Sequence, residues 1–135
     1  MTVPLIIGIS LGFVAILFSH FLKQVDERIF YGLMLVAIGA LYVGFTWTDT
    51  ISFIINCVQV SFFGTLGYLG IRKSIYFLSG GFMLHGIFDL VYSLFPLPDL
   101  RPPHYDVFCL SIDWVMGVYL FIMAYRKLEN KKHAA

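Results

Sequence analysis

The sequence predicts an all-α membrane bundle of five transmembrane helices, and three observations carry that expectation. The chain is 59% hydrophobic and 13% charged, with mean hydropathy +0.85, whereas soluble domains carry about 25% charged residues. Its apolar residues gather into five runs, each close to the ~20 residues that cross a ~30 Å hydrocarbon core. Charged or turn-forming residues separate these runs, at Lys23–Arg28, Thr48–Thr50, Arg72–Ser74 and Pro96–Asp106. At 135 residues the chain is expected to form one domain, 1–135. A net charge of +1 leaves no basic face for nucleic acid.

The first span is read at about 3–21. It has the hydropathy of a secretion signal but lacks a basic leading segment and a small-residue cleavage site, so a retained helix is expected. Its Gly8 and Gly12 form G-x-x-x-G, which lets another helix backbone approach closely. The second span is read at about 29–47. The third, at about 51–71, carries Ser52, Asn56 and Gln59 as a polar stripe at helical spacing, with Gly64, Gly67 and Gly70 for packing. The fourth, at about 75–95, holds Gly80, Gly81, His85 and Asp89, and the fifth, at about 107–125, holds Cys109 and Asp113. Residues 126–135 make a cytoplasmic tail whose Lys131-Lys132-His133 can touch anionic lipid. The partners expected are the lipid bilayer and, through the glycine-rich faces, a second copy or another membrane protein. Short connections make consecutive helices antiparallel.

Orientation follows from the cations. With five spans, Lys23, Arg28, Arg72, Lys73, Arg126, Lys127, Lys131 and Lys132 fall on one side, and Arg101 alone on the other. The N-terminus is therefore expected outside and the C-terminus inside.

That topology assigns depths. Asp89 lies six residues, about 9 Å, below the outer end of the fourth helix, and Asp113 lies equally far down the fifth. His85 is one turn deeper than Asp89, and Cys109 one turn shallower than Asp113. Asn56 and Gln59 fall roughly 8–12 Å below the same surface. Three helices thus bring polar residues to one layer in the outer half of the membrane. His85/Asp89 and Cys109/Asp113 each sit at i, i+4, on one face of their helices. A carboxylate at mid-membrane costs about 2.5–3.5 kcal/mol even on an insertion scale, and such residues mark functional sites.

The outer loop, Pro96 to Asp106, holds four of the five prolines, so its backbone is stiff. It delivers His104, Tyr105 and Asp106 to the mouth of the fifth helix. One reading is a lid that donates His104 or Arg101 to the pocket; the other is an interfacial turn anchored by Tyr105.

The run His85-Gly86-Ile87-Phe88-Asp89, then a proline-containing loop, then Cys109-Leu-Ser-Ile-Asp113, resembles an uncharacterised family of small bacterial integral membrane proteins. Those proteins carry an H-x-x-x-D helix followed by a C-x-x-x-D helix. The likeness covers the last third to half of the chain and implies a multi-pass protein of the bacterial inner membrane. Where that pattern has a histidine pair after the first Asp, this chain has Tyr92-Ser93, which weakens a metal assignment. The family has no established activity to carry over.

Three functions are open to these residues. In the first, His85, Asp89 and Asp113 are catalytic and hold a divalent metal such as Zn, Mn or Fe, with Cys109 or His104 completing the shell. Metal-bound water would then attack a lipid-like substrate, with Asn56, Gln59, Tyr92 and His104 contacting it. H-x-x-x-D lacks the specificity of the zinc-protease motif. In the second, the two acids share a proton in a proton-coupled carrier or a small-molecule binding subunit. In the third, the polar residues are glue between helices. The charged pair favours a site over glue, with metal chemistry slightly ahead of transport. His20 is expected to snorkel to headgroup water. Cys57 and Cys109 differ in depth by roughly 6 Å and are expected to be free thiols. Trp114 is expected in core packing rather than in the pocket.

Overall fold

A computed structural model describes residues 2–22 and 26–134. Lys23, counted above among the inner cations, lies outside them. Five helices follow in order: α1 Thr2–Phe21, α2 Glu27–Phe45, α3 Thr50–Arg72, α4 Tyr76–Tyr92 and α5 Tyr105–His133. The described residues contain no strand. Helices α1, α2, α3 and α5 are long and apolar enough to cross a membrane. At 17 residues, α4 is shorter than its apolar run, which extends from about 75 to 95. The chain leaves the helix at Ser93, three residues before Pro96, in line with the aversion of residues before proline to helical geometry.

Local chemistry sets the other ends. The Asp26 carboxylate accepts a hydrogen bond from the Arg28 backbone N–H at 2.8 Å, and Asp49 accepts from that of Ser52 at 2.9 Å. Each satisfies an orphan donor of a first turn, worth about 1 kcal/mol. Pro4 stands in the first turn of α1, where its missing N–H costs nothing. At the far end α5 runs on to His133. The expected tail is thus mostly helix, because Arg126–His133 contains no glycine or proline to stop it.

Helix α5 packs against both α4 and α1, α2 packs against α3, and α4 also meets α3 and α2. The buried core is apolar: Tyr31 and Leu35 from α2, Phe63 from α3, Leu78 and Phe82 from α4, Met116 and Leu120 from α5. Outward, the bundle presents large apolar side chains, including Leu17 at 61% exposure and Val58 at 66%. Water would penalise such a continuous apolar surface, and hydrocarbon would not.

Glycines allow the closest approaches. Gly8 and Gly12 seat α1 on α5, against Phe108, Ser111 and Val115. Gly117 admits Met83 and the Ser79 carbonyl, bringing α4 against α5. A Cβ at Gly8 would collide with the Ser111 hydroxyl and stand 2.5 Å from the Phe108 carbonyl oxygen. Gly8→Val should therefore lift α1 from α5 while leaving the packing of α5 on α4, and of α4 on α2 and α3, in place. The expected result is faster proteolysis within α1 in mild detergent, with the remaining helices protected. Unchanged proteolysis would mean that α1 does not depend on this contact.

Candidate functional site

The α4–α5 interface brings His85, Asp89 and Asp113 together. All three are buried: His85 and Asp89 are 0% exposed and Asp113 1%. His85 Nδ1 stands 2.8 Å from Asp113 Oδ2, a hydrogen bond, and 3.5 Å from Asp89 Oδ2. One ligand atom from each residue lies within 4.8 Å of the other two, the one such group of His, Cys, Asp or Glu among the described residues. The i, i+4 spacing on α4 stacks His85 under Asp89, and α5 delivers Asp113 from the facing side.

The cluster is rich in unused polar atoms. His85 Nε2, both Asp89 oxygens and Asp113 Oδ1 are buried and have no hydrogen-bond partner. The walls are aromatic. The Phe63 ring lies edge-on to His85 at 4.8 Å, Tyr42 approaches it at 6.0 Å, and Phe88 at 6.3 Å. The phenylalanine rings supply no donors to the carboxylates and keep the local dielectric low, and Tyr42 alone brings a hydroxyl beside Asp89.

Above the cluster, the Asn56 amide donates to the Tyr92 hydroxyl at 3.1 Å, to Thr46 Oγ1 at 3.2 Å and to the Ser52 carbonyl at 2.9 Å. Tyr92 lies one turn above Asp89, so Asn56 and Tyr92 form a shelf over the acids. Gln59 is buried beside Gly39, and neither of its amide atoms has a partner.

The proline-rich loop contributes Arg101. Its side chain is 4% exposed and donates to the Asp89 backbone carbonyl at 3.2 Å, with the guanidinium 5.0 Å from the Tyr92 ring centre. Asp99 holds it from outside through Nε at 2.9 Å. The Arg101 guanidinium in turn keeps the Asp99 carboxyl below the usual carboxylate range. Asp99 is otherwise solvated, so Arg101 is pinned at the mouth of the site by a partner in water.

His104 takes the other course. It sits in the left-handed region, at φ 60°, caps α5 without a side-chain hydrogen bond, and is exposed. Of the two loop residues expected to reach the pocket, the structure brings in Arg101 and turns His104 away. Cys109 is buried beside the Tyr105 hydroxyl, outside the three-residue group. Both cysteines are free thiols. Trp114, expected in the core, is 46% exposed. It follows Asp113 by one residue, so about 100° of helix rotation points it outward.

Sequence reasoning passed over Tyr42. It is 0% exposed, its hydroxyl lacks a hydrogen-bond partner, and that hydroxyl lies beside Asp89 and Arg101. The available signal was the stripe Tyr31, Leu35, Gly39, Tyr42 at helical spacing on α2. The polar layer thus draws on α2 as well as on α3, α4 and α5.

A protein family described as a family of unknown function (DUF6010) matches residues 3–126. No curated protein and no solved structure matches the chain.

Proposed function

This chain belongs to the DUF6010 family, whose description assigns no activity, and we propose its function from the site alone: a multi-pass membrane protein in which His85, Asp89 and Asp113 hold a divalent metal and hydrolyse a lipid-like substrate. The N-terminus faces out and the C-terminus in, which puts the cluster in the outer half of the membrane. The bilayer is a bacterial inner membrane.

One observation carries this reading. Two buried carboxylates and an imidazole converge where three of the four carboxylate oxygens have no donor. Uncompensated charge in an apolar interior costs several kcal/mol, and a cation offsets it. The spacing suits a first-row metal, whose ligand atoms at about 2.0–2.2 Å from the ion stand about 3–3.5 Å from one another. One ligand atom from each of the three residues lies within 4.8 Å of the other two, so small side-chain shifts bring them to that spacing.

When bound, the metal supplies a water nucleophile near neutral pH. The protein's own residues do the remainder. Asp89 offers both free oxygens to the cation, and Asp113 offers Oδ1 while its Oδ2 orients His85. His85 is a ligand, or else the general base that takes a proton at its free nitrogen. Arg101 closes the outer mouth, and Asn56 and Tyr92 present polar groups just above the acids. A lateral groove of about 460 Å³ between α3 and α4, lined in part by Gln59, Phe63 and Phe88, reaches the aromatic wall of the site from the lipid side. An acyl chain fits such a groove, and this favours a lipid-like substrate.

Two observations set the other readings lower. A carrier needs a polar route inward, yet Leu78, Phe82, Met116 and Leu120 fill the bundle below the cluster. The Ser79 hydroxyl there is spent on the Gly117 carbonyl at 2.8 Å. Glue accounts for Ser79 and Asn56 but not for Asp89, whose oxygens make no hydrogen bond to another helix and stand no closer than 3.5 Å to His85 Nδ1.

The test is elemental analysis of the full chain purified in mild detergent, beside His85→Ala. Wild-type protein should carry close to one Zn, Mn or Fe per chain, and His85→Ala less than about a tenth of that. No metal in wild-type protein, even after incubation with all three ions, would end the metal reading.

A further inference from the structure

A second site lies at the opposite end of the bundle. Arg28 at the start of α2, Lys73 in the α3–α4 turn, and Lys127 and Lys131 on the extension of α5 line one cleft of about 410 Å³. Ser74 and Asn130 add polar groups to its wall, and Ile75, Ala124 and Leu128 give it an apolar floor. The extension of α5 makes this cleft, because only a helix continuing past Tyr125 can carry Lys127 and Lys131 over the α3–α4 turn. Those two lysines stand at i, i+4 on one face, a like-charge spacing that weakens a helix.

The cations have little to balance them. Glu27 lies 4.0 Å from Lys127 and Asp26 accepts from the Arg28 backbone, but among the described residues the side chains of Arg28, Lys73 and Lys131 form no ion pair. Four like charges around one concave surface, drawn from three separate elements, focus a field that attracts an anion. Orientation by positive charge asks only that cations lie on one side. It does not ask that they share a cavity floored by Ile75, Ala124 and Leu128.

We propose that this cleft binds a phosphate-bearing anion, with the cations of Arg28, Lys73, Lys127 and Lys131 on the phosphate oxygens. Ser74 and Asn130 hydrogen-bond the remaining headgroup, and the apolar floor takes the glycerol and first acyl carbons of an anionic phospholipid. The depth favours a lipid source, since the cleft opens where the cytoplasmic leaflet presents its negative surface. The inference rests on the membrane reading and not on the metal at His85.

The test uses the full chain in mild detergent, titrated with short-chain phosphatidylglycerol, short-chain phosphatidylcholine or inorganic phosphate, with binding read by native mass spectrometry and by the shift in Tm. Phosphatidylglycerol should bind saturably and phosphatidylcholine should not. The double variant Lys73→Gln/Lys131→Gln should bind phosphatidylglycerol at least about tenfold more weakly. Arg72→Gln/Lys132→Gln removes the same charge from the same end outside the cleft and should stay within about twofold of wild type. Lys127→Glu, at an exposed rim position, is a second cleft variant and should also lose binding if the double variant does not fold. Saturation by inorganic phosphate, with no added gain from phosphatidylglycerol, would assign the site to a free phosphate compound. Non-saturable binding, or equal loss in the cleft and control variants, would reduce the cluster to diffuse charge and overturn the proposal.

Discussion

Asp89→Asn should act in two opposite directions: it should abolish metal binding and hydrolysis, and it should raise the thermal stability of the metal-free protein. Asp89 is 0% exposed and accepts no hydrogen bond, and its nearest cationic group, His85 Nδ1, stands 3.5 Å away. Asn keeps its shape and removes its charge. His85 and Asp113 still pair at 2.8 Å, and the new amide N–H has the unpartnered Tyr42 hydroxyl beside it as an acceptor. Deleting an uncompensated buried charge without stranding its partner should gain about 1–3 kcal/mol. Asp113→Asn should differ, because it replaces the charged oxygen that accepts from His85 with a neutral amide oxygen and sets an N–H donor beside it. That change should cost about 1.5–3 kcal/mol, the range for hydrogen bonds to charged groups.

Both variants should hold less than about a tenth of the wild-type metal and lose hydrolysis by at least about 100-fold. The measurements are metal content and thermal unfolding in mild detergent with a chelator present. A group retained for function at a cost in stability gives this split. Glue gives the reverse for Asp89, so equal destabilisation by the two variants would return both acids to a structural role.

Much of the architecture was legible in run lengths and spacing, and the exceptions have identifiable causes. Five apolar runs gave five helices, because each run nears the span of a bilayer and each break carries charge or turn formers. The i, i+4 spacing already put His85 with Asp89 and Cys109 with Asp113 on single faces. Which of Cys109 and Asp113 meets His85 depends on how α5 is rotated against α4, and pairwise packing at Gly117 sets that rotation. Tyr42 stayed hidden because a tyrosine near a span end reads as a headgroup anchor. Its burial depends on α2 meeting α4, a contact between segments far apart in sequence. The loop was recognisable as stiff from its prolines. That Arg101 turns in while His104 turns out depends on one left-handed residue, at φ 60°.

Arg101→Ala should open the site to the outside, and the protein carries its own reporter for this. The sequence has two cysteines, so Cys57→Ser leaves Cys109 as the only thiol. Cys109 is 4% exposed on α5, one turn from Asp113. Burial makes a thiol unreactive, and access restores it. The Arg101 guanidinium fills the mouth above it, held by the Asp89 carbonyl, the Tyr92 face and Asp99 together. No smaller side chain reproduces that fork of donors, and Lys keeps the charge without the planar geometry. In right-side-out vesicles, a membrane-impermeant maleimide should label Cys109 at least about tenfold faster in Arg101→Ala than in the parent, with Arg101→Lys between them. Equal rates would mean that Arg101 does not seal the site. Labelling that requires broken vesicles would place this loop inside and reverse the orientation. Asp99→Asn should weaken this latch while leaving the Asp89 carbonyl and Tyr92 contacts of Arg101 in place, so it should speed labelling less than Arg101→Ala does. Equal acceleration by the two variants would mean that the Asp99 contact alone holds the mouth shut.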